Sequence, residues 1–107
     1  MRKLRIVYVP VGEAACVKEI ADDLQVMQEL VKGYIETVRI TDCGAVFDDC
    51  RIVCNDEGYI RKMKKNKLGI YGPFFIISNQ NAGDGEMVGL EEGKAQMIAA
   101  VLNSNGG

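Results

Sequence analysis

Three features bound the chemistry open to this chain: four cysteines, one dense run of cations, and no histidine in 107 residues. Lack of histidine removes the commonest general base and a frequent metal ligand, the one side chain whose ordinary pKa lies near neutrality. Cys16, Cys43, Cys50 and Cys54 invite a zinc site, because thiolates coordinate zinc tetrahedrally. Structural zinc sites present a tight knuckle such as C-x2-C, whereas the spacings here are C-x6-C and C-x3-C with Cys16 far upstream. The sequence therefore predicts no metal and no other cofactor, with four reduced cysteines filling small apolar slots. A catalytic thiol would lack the histidine that lowers its pKa. The chain is expected not to be an enzyme; any catalysis would fall to carboxylates, lysines or tyrosines. Glu13 and Glu36 are conceivable actors, but nothing in the sequence pairs them.

The cation run is Arg61-Lys62-Met63-Lys64-Lys65-Asn66-Lys67. It holds five of the 13 basic residues and leaves 8 against 15 acidic ones elsewhere, so the molecule is polarised. Tyr59 and Tyr71 flank it and are able to stack on bases. Arg61, Lys62, Lys64, Lys65 and Lys67 with the two tyrosines form the candidate surface for an anion or a partner. Five clustered cations bind phosphate oxygens by releasing counterions. The competing reading, favoured on sequence, is a solvated hairpin edge whose lysines discourage strand-to-strand aggregation. The net charge of −2 favours neither nucleic acid nor DNA mimicry in bulk. The stretch Asn79-Gln80-Asn81-Ala82-Gly83-Asp84-Gly85-Glu86 approaches a calcium loop but puts Asp84 at the turn glycine and Leu90 at the bidentate glutamate. Its glycines also suggest a phosphate cradle, which Asp84 and Glu86 would repel. A strand-to-helix connection is the better account.

The elements that must position these residues follow from periodicity. Residues 4–9 are β-branched and aromatic, a strand closed by Pro10. Residues 11–21 read as extended or irregular. Asp22 or Asp23 caps a helix, with Gln25 placed for a capping box and Leu24, Met27, Leu30 and Val31 as the buried stripe. Gly33 is expected to take the left-handed conformation that ends this helix, and a strand starts at Tyr34 or Ile35. Residues 51–55 and 59–63 flank Asn55-Asp56-Glu57-Gly58, a hairpin signal. Residues 73–78, the most apolar, form a central strand covered on both faces, and 90–102 form a closing helix on Ala95, Ile98, Val101 and Leu102. The predicted order is βαββββα: an α+β fold with a mainly antiparallel sheet of about five strands and two helices. Residues 1–103 form one domain and 104–107 a frayed tail. The apolar run near the N-terminus is short and broken by Pro10, Gly12 and Glu13, unlike an export signal. No stretch reaches the ~20 apolar residues of a membrane span. A cytoplasmic protein with no membrane association is expected.

The block Leu24-Gln25-Val26-Met27-Gln28-Glu29-Leu30-Val31-Lys32-Gly33-Tyr34-Ile35-Glu36 is followed by Cys54-Asn55-Asp56-Glu57-Gly58, by Gly72-Pro73-Phe74-Phe75-Ile76-Ile77 and by Gly89-Leu90-Glu91-Glu92. On these segments the chain resembles the small bacterial and phage family known as domain of unknown function 3846. An Asn-Arg pair follows the turn in that family; Asn66-Lys67 stand in its place here. The resemblance implies an accessory protein of phages, plasmids and conjugative elements, sometimes near antirestriction genes, and supplies no catalytic residues. Residues and resemblance together predict a non-catalytic binding protein acting on an unknown protein or a small anionic ligand. A nucleic-acid binder using residues 61–67 is the alternative. The oligomeric state is left open.

Overall fold

The computed structural model describes residues 2–40, 44–78 and 87–104. In chain order they form β1 (Lys3–Val9), β2 (Cys16–Ala21), α1 (Leu24–Val31), β3 (Ile35–Arg39), β4 (Cys50–Asn55), β5 (Phe74–Ser78) and α2 (Glu92–Ser104). Short 3-10 turns lie at Ala45–Phe47 and Lys67–Gly69. The five strands make one antiparallel sheet, ordered β2-β1-β5-β4-β3. The fold is therefore α+β, as expected.

The central strand explains the layering. Phe74, Phe75, Ile76 and Ile77 have no exposed surface. Because successive side chains of a strand point to opposite faces, Phe74 and Ile76 enter one core cluster while Phe75 and Ile77 enter another. The first layer is closed by Ala95, Ile98, Ala99 and Leu102 of α2 and by Phe47; the second by Met27 and Val31 of α1. This continuous apolar run is what a strand buried on both faces requires.

One strand lies elsewhere than the βαββββα reading put it. Cys16–Ala21 is a strand, paired with β1 from Lys3↔Ala21 to Tyr8↔Cys16. Residues 59–63 are not. There Arg61 N–H donates to Glu57 O at 2.8 Å, Lys62 to Tyr59 O at 3.1 Å and Met63 to Gly58 O at 3.0 Å, so the chain coils through successive turns. The reason is positional: β4 already has β3 on one edge and β5 on the other, and no edge remains for a returning strand. The chain order is ββαβββα.

Helix α1 starts as expected, with the Asp23 carboxylate accepting from Gln25 N–H at 2.8 Å. Its stripe is narrower than expected: Met27 and Val31 are buried and Leu30 packs half-buried, but Leu24, on the first turn, is 56% exposed. Its end is built differently too. Lys32, not Gly33, takes the left-handed conformation (φ 65°), and both residues donate to Gln28 O. Gly33 is glycine for another reason. A Cβ there would sit 2.6 Å from Nδ2 of Asn55. Strand β3 then begins two residues on, at Ile35.

Three asparagine side chains tie distant backbone together, each using both ends of its amide. Asn55 donates to Val31 O and Lys32 O, both at 3.1 Å, and accepts from Glu57 N at 2.7 Å. Asn66 donates to Val9 O and Gly72 O, both at 3.0 Å, and accepts from Lys67 N. Asn103 accepts from Ala15 N at 2.8 Å and donates to Ala15 O at 3.0 Å. A two-point amide contact of this kind mimics a sheet neighbour and satisfies backbone groups that no strand reaches.

Candidate functional site

The segment carrying the cation run leaves β4 at Asn55 and re-enters the sheet at β5. It is fixed along its length. Asn55 holds its first turn through Glu57 N. Gly58 then packs against the chain's return: a Cβ there would lie 2.3 Å from the Tyr71 carbonyl oxygen, so no other residue fits without moving backbone. Lys65 pairs with Tyr71 as an antiparallel bridge, Gly72 N–H donates to Lys64 O at 2.8 Å, and Asn66 ties the segment to the end of β1. These contacts bring Tyr59 and Tyr71 into an edge-to-face pair, ring centroids 5.1 Å apart at 75°. That geometry suits the ring quadrupoles.

The predicted site residues therefore belong to one fixed segment but divide between two grooves. Arg61 is engaged with Glu57 at 3.3 Å, one helical turn back. Lys62 lies beside the tyrosine pair in an open groove of about 480 Å³ that Ile60 and Met63 also line. Lys64, Lys65 and Lys67 line a separate groove with Val11, Gly12 and Asn66. The expectation of a hairpin edge fails with the missing strand, since these lysines guard no sheet edge. Asn66 is a structural tie.

Two parts of the surface were not singled out from the sequence. Ile60 is 74% exposed beside Tyr59 at 73%, an apolar pair facing water. Its signal was only an isoleucine next to a tyrosine in a polar stretch. Tyr59 and Tyr71 also wall a smaller cleft of about 180 Å³ that Glu36, Asp56 and Cys54 line. The β3–β4 register places Glu36 directly across from Cys54, a juxtaposition that no local spacing announces. Glu13 does not join Glu36: it precedes β2 on one edge of the sheet, and Glu36 lies on β3 at the other.

The cysteines divide. Cys50 and Cys54 fill the apolar core as expected, whereas Cys16 is exposed; Cys43 lies outside the described residues, as does the glycine-rich 79–86 stretch. Among the described residues, no group of three histidine, cysteine, aspartate or glutamate side chains is placed to hold a metal ion. Burial raises the Cys50 thiol pKa, with Asp49 and Asp48 adding to it against Lys94. Cys54 is pushed up from 9.0 to about 11, first by burial and then by the Glu36 and Asp56 carboxylates. Tyr8 also moves up, by burial and by its neighbours Cys16 and Glu13. All three shifts favour the protonated, unreactive form.

The Cys54 shift has a measurable consequence. Below pH 9 the thiol is protonated in folded and unfolded chains alike; between 9 and about 11 only the folded chain keeps the proton. Stability contributed by this group should fall as pH rises through that window, by about 1–3 kcal/mol. Urea unfolding of the wild type and Cys54→Val as a function of pH checks it. The wild type should lose stability faster above pH 9, and parallel curves would refute the assignment.

The chain belongs to the family described as Domain of unknown function (DUF3846), whose model matches residues 1–103. Nothing among curated proteins and nothing among solved structures matches it. The segments that carried the resemblance meet in space: Gly33 lies against Asn55, and Gly58 against the residue before Gly72. Among the described residues, no helix is long and apolar enough to cross a membrane.

Proposed function

We propose that this chain is a non-catalytic binding protein, and that it meets a protein partner through the surface built by residues 56–72. The observation that carries this reading is the pair Tyr59 and Ile60, each about three-quarters exposed on a segment that Gly58 and Asn66 hold in place. Exposed apolar side chains on a preordered backbone lose little entropy on docking, and tyrosine and arginine are frequent anchors of interfaces. Lys62 beside them, with Lys64, Lys65 and Lys67 further along the segment, fits an acidic rim on the partner. The raised thiol pKa values run opposite to what an activated nucleophile needs, which supports binding over catalysis. The family resemblance adds a setting on phages and plasmids, where an accessory protein of the cytoplasm acts on a host protein, counter-defence being one such role. A nucleic acid is the second reading, favoured by the lysines that line one groove with Gly12. The carboxylates beside the tyrosine pair repel phosphate and weigh against it.

A photo-crosslinking residue at position 60 tests the proposal in a bacterial lysate. One protein should be captured, and Tyr59→Ala with Ile60→Asp should cut its affinity by tenfold or more while leaving thermal unfolding unchanged. Equal binding by that variant would overturn the reading. Binding instead to unrelated DNA or RNA, with a slope of roughly 0.7 to 0.9 log units per decade of salt for each phosphate contact, would establish the second.

A further inference from the structure

Lys64, Lys65 and Lys67 line one groove of about 400 Å³ with Val11, Gly12 and Asn66. The turn at Asn66 holds them there. Its amide donates to Val9 O and Gly72 O, its backbone N–H donates to Ile70 O at 2.6 Å, and Lys67 N–H donates to its side-chain oxygen. Just beyond, Leu68 keeps a left-handed backbone (φ 58°), a conformation that costs a residue with a side chain and recurs at functional sites. Several cations elsewhere have partners: Arg2 with Asp22, Arg5 with Glu19, Arg61 with Glu57, and Lys18 over the Tyr8 ring. Among the described residues, no carboxylate pairs with Lys64, Lys65 or Lys67. Carboxylates line the cleft beside Cys54 and a further cleft at Ser78 and Lys94, but none lines this groove. Three like charges kept together without a counter-charge repel one another, and a bound anion relieves that repulsion.

We propose that this groove binds the oligophosphate group of a small molecule, a di- or triphosphate chain whose oxygens meet the three ammonium groups. Ammonium is a compact point charge with rotatable donors, which suits the oxygens of successive phosphoryl groups; no arginine, with its planar fork, lines the groove. The volume falls within the range that small ligands occupy. A nucleic-acid strand fits less well. It must run on over the rest of the chain, where 15 acidic residues stand against 8 basic ones, whereas a short phosphate chain ends within the groove. No aromatic side chain lines the groove to stack on a base. This binding does not depend on the protein partner met at Tyr59 and Ile60, which line the other groove.

Inorganic tripolyphosphate, added to the ¹⁵N-labelled protein without divalent cations, should shift the amides of Gly12, Lys64, Lys65, Asn66 and Lys67 in a saturable way. Orthophosphate, with fewer charges, should bind at least about tenfold more weakly. Changing Lys64, Lys65 and Lys67 together to glutamine should abolish the shifts and leave thermal unfolding unchanged. Lys64→Gln alone, at an exposed position, should already weaken binding by about threefold or more. Lys62→Gln, in the other groove, should leave the affinity as it was. Shifts spread over every lysine, shifts that survive in the triple variant, or an equal loss in Lys62→Gln would overturn the proposal. So would a single-stranded oligothymidylate that displaces tripolyphosphate and binds more tightly, which would give the groove to nucleic acid. Tripolyphosphate binding with partner capture unaffected by the Tyr59 and Ile60 changes would sink the partner reading alone. Capture without localised tripolyphosphate shifts would sink only the groove.

Discussion

Phe75→Ala is expected to destabilise the protein by about 3–5 kcal/mol, and Phe74→Ala by a similar amount. Neither side chain has exposed surface, and they are adjacent in sequence on the central strand. They nevertheless enter different cores. Phe74 packs in the layer closed by α2, and Phe75 in the layer closed by α1. Neighbouring sites commonly depart from additivity, but these two side chains enter separate layers, so the double variant is expected to lose about 6–10 kcal/mol. That is comparable to the whole stability of a domain this size, about 5–15 kcal/mol. The single variants should unfold at lower urea, and the double variant should be unfolded or nearly so in buffer. A double variant no worse than either single would show that the two layers respond as one.

The same strand shows why parts of the fold were legible. Phe74-Phe75-Ile76-Ile77 is an unbroken apolar run with only one good place in a sheet, the middle. Helices α1 and α2 carry buried residues at helical spacing, and a cap at Asp23 marks the first. Strand β2 lacked such a signal. It offers Val17 to one layer and Ile20 to the other, separated by Lys18 and Glu19, because it is an edge strand and half of it faces water. The supposed strand at 59–63 had the right residues, but whether it could pair depended on β5 taking the second edge of β4. That is a fact of topology, and no local pattern encodes it.

The candidate site divides along the same line. A run of five cations is visible in composition alone. The Tyr59–Tyr71 contact was half visible, as two aromatics bracketing the run. The acidic cleft was not, since Glu36 and Asp56 meet only through the β3–β4 register. The asparagines were legible as turn formers, but their partners lie up to 88 residues away along the chain. Such ties use ordinary residue types for contacts that the tertiary fold chooses.

Asn55 offers the sharpest test of such a tie. It is 5% exposed and the one buried polar residue among those described. Asn55→Ala should cost about 2–4 kcal/mol, because the carbonyls of Val31 and Lys32 and the Glu57 N–H lose their partner together. Gly33→Ala should cost about 1–3 kcal/mol in the wild type, where its Cβ would press on Asn55 Nδ2 at 2.6 Å. With Asn55 already alanine, that atom is gone and the same change should cost almost nothing. The double-mutant cycle should therefore show a coupling of about 1–3 kcal/mol, read from urea midpoints. The contact joins the end of α1 to the start of the binding segment. Asn55→Ala should for that reason also weaken capture at position 60. If Gly33→Ala costs the same in both backgrounds, the glycine serves the helix end itself and the close approach of Asn55 is incidental.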